Sequence, residues 1–538
     1  MTILSADSND ARKLMSRYND AKANWQNWRS IYDEAYAYAI PERDPWPEGV
    51  EEGRRKNIQV YDITAVNSAR RLVSHLHSSL TPPGEQWFLL EAGDDITDEN
   101  EKKEVNTFLQ GYTDIIFQML NDSNFDLVIN EFYQDLIIGT AGMMVLESND
   151  KQSPIRFKSV GTNTIYPEGD VYDNINTVWR DFLGIYGRDI LQMWPRAKLP
   201  QTITTRMAND ALVKFDFAEG VIYDPETDTY RVVVLMMDTN EFILDLKTKS
   251  SPWIISRWSK CSNEVGGRGP VIDALPTIRS LNALVEEIMR NVALSTSPPW
   301  MAASDGVFNP YLFQISPNKI IPISRQSMNE MPLKRLDVAG DVNMGNLEVN
   351  DMRIQIKDAL FDNPLQPVNS PVPTATEIMV RQQSFMEEIG PAFGRLSVEL
   401  MPAIIKRTIF IGQKRGYLPA DLIIDNKKIS IKYKSPLVRS MAVQKIQNLQ
   451  NYIQIMQPIL GQQLTLGTLN IAQLPQWLSD KLDVDEALVK TPGQVQLLVE
   501  QMMDATNPPS PATTQPNPNQ PLANQVNTQK SLGADANG

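Results

Sequence analysis

Thiols and imidazoles are almost absent from this chain. Cys261 is the only cysteine, and His75 and His77 are the only histidines, among 538 residues. One cysteine excludes an intrachain disulfide and suits an intracellular protein. Cys261 itself is expected to be a buried structural thiol. The histidines stand two apart in SHLHS on a predicted helix, where they point about 200° from each other and do not share a metal. No G-x-x-x-x-G-K-[ST] loop occurs, which argues against an ATPase. No uncharged apolar run approaches the ~20 residues of a membrane span. The opening MTILSADSNDARK lacks the apolar centre of a secretion signal. Basic charge is also scarce: the net charge is −14, and the densest cationic cluster is Arg54-Arg55-Lys56. Phosphate neutralisation supplies most non-specific affinity for DNA, so a stable grip on DNA is disfavoured, whereas passage of DNA past the protein is compatible.

What is present is mainly helical. Length suggests about three or four domains. Leu14, Tyr18, Trp25, Trp28, Tyr32 and Tyr36 recur at helical steps and predict an amphipathic helix over 7–40. Further helices are predicted over 62–80, from about 99, and through NEFYQDLII to Gly139, where GTAGMMVLE turns into a buried strand. From 153 to 260 the period becomes two: Val213, Phe215 and Phe217 alternate with Lys214 and Asp216. DPETD (224–228) and DTN (238–240) read as turns of an antiparallel sheet, with WIISRW (253–258) as its last strand.

GGRGP (266–270) breaks the sheet and reads as a turn. Ile272, Leu275, Ile278, Leu281, Val285, Ile288 and Val292 then mark one face of a helix about 39 Å long. A turn-rich module follows, then a second helix at 346–361. DNPLQPVNSPVPTATE comes next, with Pro364, Pro367, Pro371 and Pro373 stiffening it. Thr374 and Glu377 form a capping-box pattern for a helix in which Gly390-Pro391, Gly394 and Pro402 predict bends. Ile446, Leu449, Ile453 and Met456 share a face in a helical end region, where Thr491-Pro492 resembles a cap. The Pro-, Asn- and Gln-rich end beyond Asn507 predicts disorder.

Chemistry is thin. The acidic runs GDDITDENE (93–101) and DVDE (483–486) could hold magnesium for a nuclease, but solvated helix starts explain them more simply. No cofactor, metal site or enzymatic activity is expected.

Five stretches, in order, carry a resemblance: W-x-x-W with YAYAIPERD (25–44), LVSHLHSSLTPPGEQWF (72–88), IIGTAGMMVLE (137–147), RWSK…GGRGPVIDAL…LN (257–282) and TATEIMVRQQ…GPAFGRL (374–396). Together the chain resembles the portal, or head-to-tail connector, proteins of short-tailed, podovirus-type bacteriophages. That family commonly places an aromatic before the G-R-G-P step, where this chain has Gly266.

The resemblance implies an α+β, mainly helical portal fold. Its parts are a sheet-containing wing (1–267), stem helix 1 (268–297), a clip (298–345), stem helix 2 (346–361) and a tunnel loop (362–373). A long kinked wing helix and return (374–436), a crown (437–506) and a disordered tail (507–538) follow. It implies a closed ring of about twelve subunits at one capsid vertex of the virion, assembled in the host cytoplasm. Double-stranded DNA passes through without sequence-specific binding. Implied partners are the terminase large subunit, tail adaptor and tail proteins, major capsid and scaffolding proteins, and internal core proteins, with no membrane insertion. Asn363, Gln366, Asn369 and Ser370 would touch DNA in the loop, where Asp362 is the single charge. Lys357 is a candidate sparse positive contact, and Lys334 and Arg335 are candidate clip contacts with partners. The alternatives are a magnesium-dependent DNA-processing enzyme and another virion protein such as a tail adaptor.

Overall fold

Spacing on the first helix translates directly into burial. In the computed structural model α1 (Ser8–Ala39) buries Leu14, Tyr18, Trp25, Tyr32 and Tyr36, with Trp28 half-buried beside them. The structure describes residues 8–43, 60–93, 95, 99–148, 150, 152–210, 212–296, 300–302, 333–335, 342–362, 388–420, 422, 429–434, 436–461, 468–482, 489–490 and 493–497.

After α1 come α2 (Thr64–Leu80), β1 (Phe88–Ala92), α3 (Glu99–Asn121) and α4 (Phe125–Leu136). Then follow β2 (Thr140–Glu147), β3 (Ile155–Val160), β4 (Ile165–Gly169) and β5 (Ile175–Tyr186). The short helices α5 (Ile190–Met193) and α6 (Gln201–Asn209) precede β6 (Lys214–Asp224), β7 (Thr229–Met236), β8 (Phe242–Thr248) and β9 (Trp253–Arg257). Next are α7 (Pro270–Thr296), β10 (Trp300–Ala302), β11 (Leu333–Arg335) and α8 (Val342–Ala359). Helix α9, described over 388–399, leads into α10 (Met401–Arg415), β12 (Ile429–Tyr433), α11 (Pro436–Leu460) and α12 (Leu474–Leu482).

The period-two region forms an antiparallel sheet in the order β4-β5-β6-β7-β8, with Phe215 and Phe217 buried and the two predicted turns at its hairpins. WIISRW is not its last strand. Instead β9 pairs with β2, with Met143 opposite Ile254, in a second sheet ordered β3-β2-β9. Both strands are mainly apolar and largely buried on both faces. Such strands carry no alternation that would mark their neighbour. The two sheets pack through Met144, Val160, Val178, Val221 and Trp253.

Other expectations shift as well. Helix α8 begins at Val342, ahead of the predicted 346. Gly390, Pro391 and Gly394 lie inside α9 without interrupting it; the break falls at Leu400, just before Pro402 at the start of α10. Cys261 is exposed, because it sits in the turn after β9 and not on a packed strand.

The chain divides into two units, Met1–Ala442 and Val443–Gly538. In the second unit Ile446, Leu449, Ile453 and Met456 form the half-covered face of α11, whereas Ile455 and Ile459 are exposed. Thr491-Pro492 and the end beyond Asn507 lie outside the described residues. Among the described residues no helix is long and apolar enough to cross a membrane.

Candidate functional site

The sequence stretches that stand far apart meet at the root of α7. Gly269 N donates to Ile138 O at 2.8 Å, Val271 N to Ile137 O at 3.2 Å, and Trp258 N to Gly139 O at 2.8 Å. Backbone touches backbone here: a Cβ on Gly269 would lie 2.1 Å from Ile137 O. Only glycine fits such an approach. The Tyr32 hydroxyl donates to Gly267 O at 2.6 Å and shares a hydrogen bond with Thr140 Oγ1 at 2.9 Å. Burial holds this hydroxyl well above the usual tyrosine range. Gly266, where an aromatic was expected, faces Trp28: a Cβ there would be 2.6 Å from the indole. The aromatic mass is present but supplied by α1. Tyr36 and Arg43 converge in turn on the buried Asp135 of α4, at 2.7 and 2.9 Å.

From this root α7 and α8 run antiparallel, with Ile288 against Gly345 and Val285 beside Val349. Leu275, Ile278 and Leu281 of the predicted stripe are buried, Val285 and Ile288 are half-covered, and Val292 is exposed. The stripe is therefore core at its root and open further out. Both helices are pinned to the start of α2. Asn282 Oδ1 accepts from the backbone N–H of Tyr61 and Asp62 at 2.8 and 3.0 Å, while Arg353 meets Asp62 Oδ2 at 2.7 Å. Burial alone would raise the Asp62 carboxyl. Hydrogen bonds from Thr64 and Arg353 instead hold it below the usual range.

The predicted site residues fare unequally. Asp362 is not a free loop charge. It is buried, accepting from Ser68 Oγ at 2.6 Å and pairing with Arg71 Nη1 at 3.0 Å, because the chain turns back onto α2 at the end of α8. Phe361, in the left-handed region at φ 54°, makes that turn and stacks on Trp258. Lys357 is half-buried in the last turn of α8, where the helix dipole favours a cation. Lys334 and Arg335 lie on β11 opposite Met301 and Trp300 of β10. Asn363, Gln366, Asn369 and Ser370 fall outside the described residues, as do 94 and 96–98 of the 93–101 acidic run. Of the two histidines, His75 is exposed and His77 packs beside Tyr133, with burial lowering its pKa.

A family model described as "Bacteriophage head to tail connecting protein" matches residues 11–489. The chain belongs to that family. Its role as a connector between phage head and tail follows. A probable portal protein of Bordetella phage BPP-1 is 20% identical over 529 residues, covering 93% of this chain and 92% of the relative. A portal protein of Salmonella phage epsilon15 is 22% identical over 470 residues, covering 81% and 78%. Among solved structures, a chain of the virion of a native gene transfer agent particle has a TM-score of 0.32 at 10% identity, covering 78% of this chain and 94% of that one. A likeness at that level carries no argument.

Two charged clusters in the connector escaped the sequence reading. Arg257, at the end of β9, is buried and pairs with Glu399 of α9 at 2.7 Å, while its Nη2 also donates to Asp173 O at 2.9 Å. Nothing local signals a pair so distant in sequence. Glu219 of β6 lies directly across from Arg180 of β5, between the two sheets and 6% exposed. Burial pushes Glu219 up to about 7, with Arg180 and Lys158 opposing the shift. Here a signal existed: the inward phase of Phe215 and Phe217 continues to 219.

Proposed function

We propose that the connector is the subunit of a portal, a closed ring of about twelve copies at one capsid vertex. Its channel would admit double-stranded DNA during packaging and release it during infection. The observation that carries this reading is the family match over residues 11–489, joined to two relatives named as portal proteins along most of their length. Assembly would take place in the host cytoplasm before the ring enters the virion.

On this reading residues 1–267 are the wing, α7 and α8 the stem, 298–345 the clip, and 362–373 the tunnel loop. Residues 374–436 return through the wing, 437–506 form the crown, and 507–538 a disordered tail. The antiparallel α7 and α8, pinned at Asn282 and Arg353 by one element, suit a stem that leaves the body and comes back to it. Lys334 and Arg335 would meet the terminase large subunit and later the tail adaptor. Wing and crown would meet the capsid, scaffolding and internal core proteins.

A conduit must not hold its cargo. A net charge of −14 per subunit opposes phosphate trapping. With Asp362 paired to Arg71, residues 363–373 carry no charge, so Asn363, Gln366, Asn369 and Ser370 offer only weak contacts. Lys357 at the adjoining helix end supplies a sparse positive one. Gold-labelled antibody against the connector should mark one vertex of each particle. Label on every vertex, or along the tail alone, would contradict the proposal.

A further inference from the structure

Val171 and Tyr172 are the most exposed large apolar residues among those described, at 96% and 84%. They form the tip of the β4–β5 hairpin, and that tip is unusually well fixed. Asp170 Oδ1 accepts from the backbone N–H of Tyr172 and of Asn174, each at 2.8 Å. Its Oδ2 accepts from the side-chain amides of Asn174 and Asn176 at 3.3 and 2.8 Å. Asp173 takes the left-handed conformation at φ 61° that closes the turn, and asparagine and aspartate tolerate it best after glycine. The Asp173 carbonyl accepts from Arg257 at 2.9 Å and its carboxylate meets Lys260 at 2.5 Å. The tip is thus tied to the root of α7 as well as to itself.

An exposed Val-Tyr pair on a mobile loop would pay ordering entropy on docking; on a caged turn that cost is already met, and rigid tyrosines are favoured anchors. Charge narrows the choice of partner. The subunit is acidic, so a surface that faces its own copy must hide negative charge. Here both tip carboxylates are compensated where they stand, Asp170 by four N–H groups and the partly exposed Asp173 by Lys260. The tip itself, residues 170–176, contains no lysine or arginine to attract nucleic acid.

We infer that the Val171–Tyr172 tip docks on a neighbouring copy of this chain. The inference rests on the ring reading. It assigns the contact as head-to-tail, the tip of one subunit meeting a different surface of the next, as a cyclic ring requires.

The test is hydroxyl-radical footprinting of the purified connector alone, in rings and in subunits diluted below assembly. Tyr172 oxidation should fall at least ~5-fold in the ring, as for an anchor taken out of water. Rings in which Tyr172 reacts at the subunit rate overturn this inference and leave the ring reading standing. Absence of rings at any concentration removes both. In a second arm, Val171→Ser with Tyr172→Ser keeps every hydrogen bond of the turn. The double variant should need ~10-fold more protein to assemble, a shift expected for loss of an interface anchor. Unchanged assembly contradicts the docking.

Discussion

Asp362 and Arg71 meet at 3.0 Å, and this pair ties the end of α8 to α2 immediately before the proline-rich segment. The carboxylate is buried, whereas the guanidinium is half open to solvent. Asp362→Ala should therefore cost ~1–3 kcal/mol, since Ser68 loses its acceptor inside the fold. On the tunnel-loop reading Gln366→Ala and Asn369→Ala should stay within ~0.5 kcal/mol, since their contacts would be with DNA and not within the fold. Urea unfolding of the three variants checks the contrast. Equal effects would mean that Asp362 is not the anchor.

Glu219 gives a pH dependence of definite sign. Its folded value of about 7 stands above the ordinary 4.5. The protonated form thus contributes stability that is full below pH 4.5 and lost as pH rises through 7. Ionised Glu219 costs on the order of 3 kcal/mol above that point. Glu219→Gln should be nearly neutral in acid and stabilising by ~1–3 kcal/mol at alkaline pH, part of the relief being lost to the amide's own hydrogen-bonding needs. Stability measured across this range with the same difference throughout would sink the assignment.

Gly266 and Trp28 form a testable unit. A side chain at 266 must displace the indole, so Gly266→Phe should destabilise by ~1–3 kcal/mol. In the Trp28→Ala background the same change should cost at least ~1 kcal/mol less, the coupling expected of residues in contact. Strictly additive losses would show that Trp28 is not what excludes the side chain.

Lys357→Ala probes the sparse-contact idea. The loss of a cation from a helix end should cost only ~0.3–1 kcal/mol in stability. If Lys357 makes the proposed phosphate contact, DNA packaging should nonetheless fall measurably, because each subunit would lose that contact. Packaging equal to wild type, with normal ring yield, would leave Lys357 no role toward DNA.

Much of the fold is readable because periodicity reports burial. The α1 stripe and the Phe215–Phe217 alternation name residues that prove buried but for the half-buried Trp28, and the α7 face does so at its root, at Leu275, Ile278 and Leu281. Partner choice is a different matter. β9 reads as apolar whichever sheet it joins, and only the register with β2 assigns it. Cys261 is exposed because a turn, not its residue type, decides its place. Asp362 looks like a loop charge until the chain is seen to fold back onto Arg71, 291 residues earlier. Composition marks what a segment can do alone; contacts across hundreds of residues carry no local trace.

The most direct test of the portal reading is the native mass of the purified connector, with negative-stain images of the same sample. Closed rings of about twelve subunits around a central hole are the expected result. A monomer or dimer persisting at high concentration would contradict it.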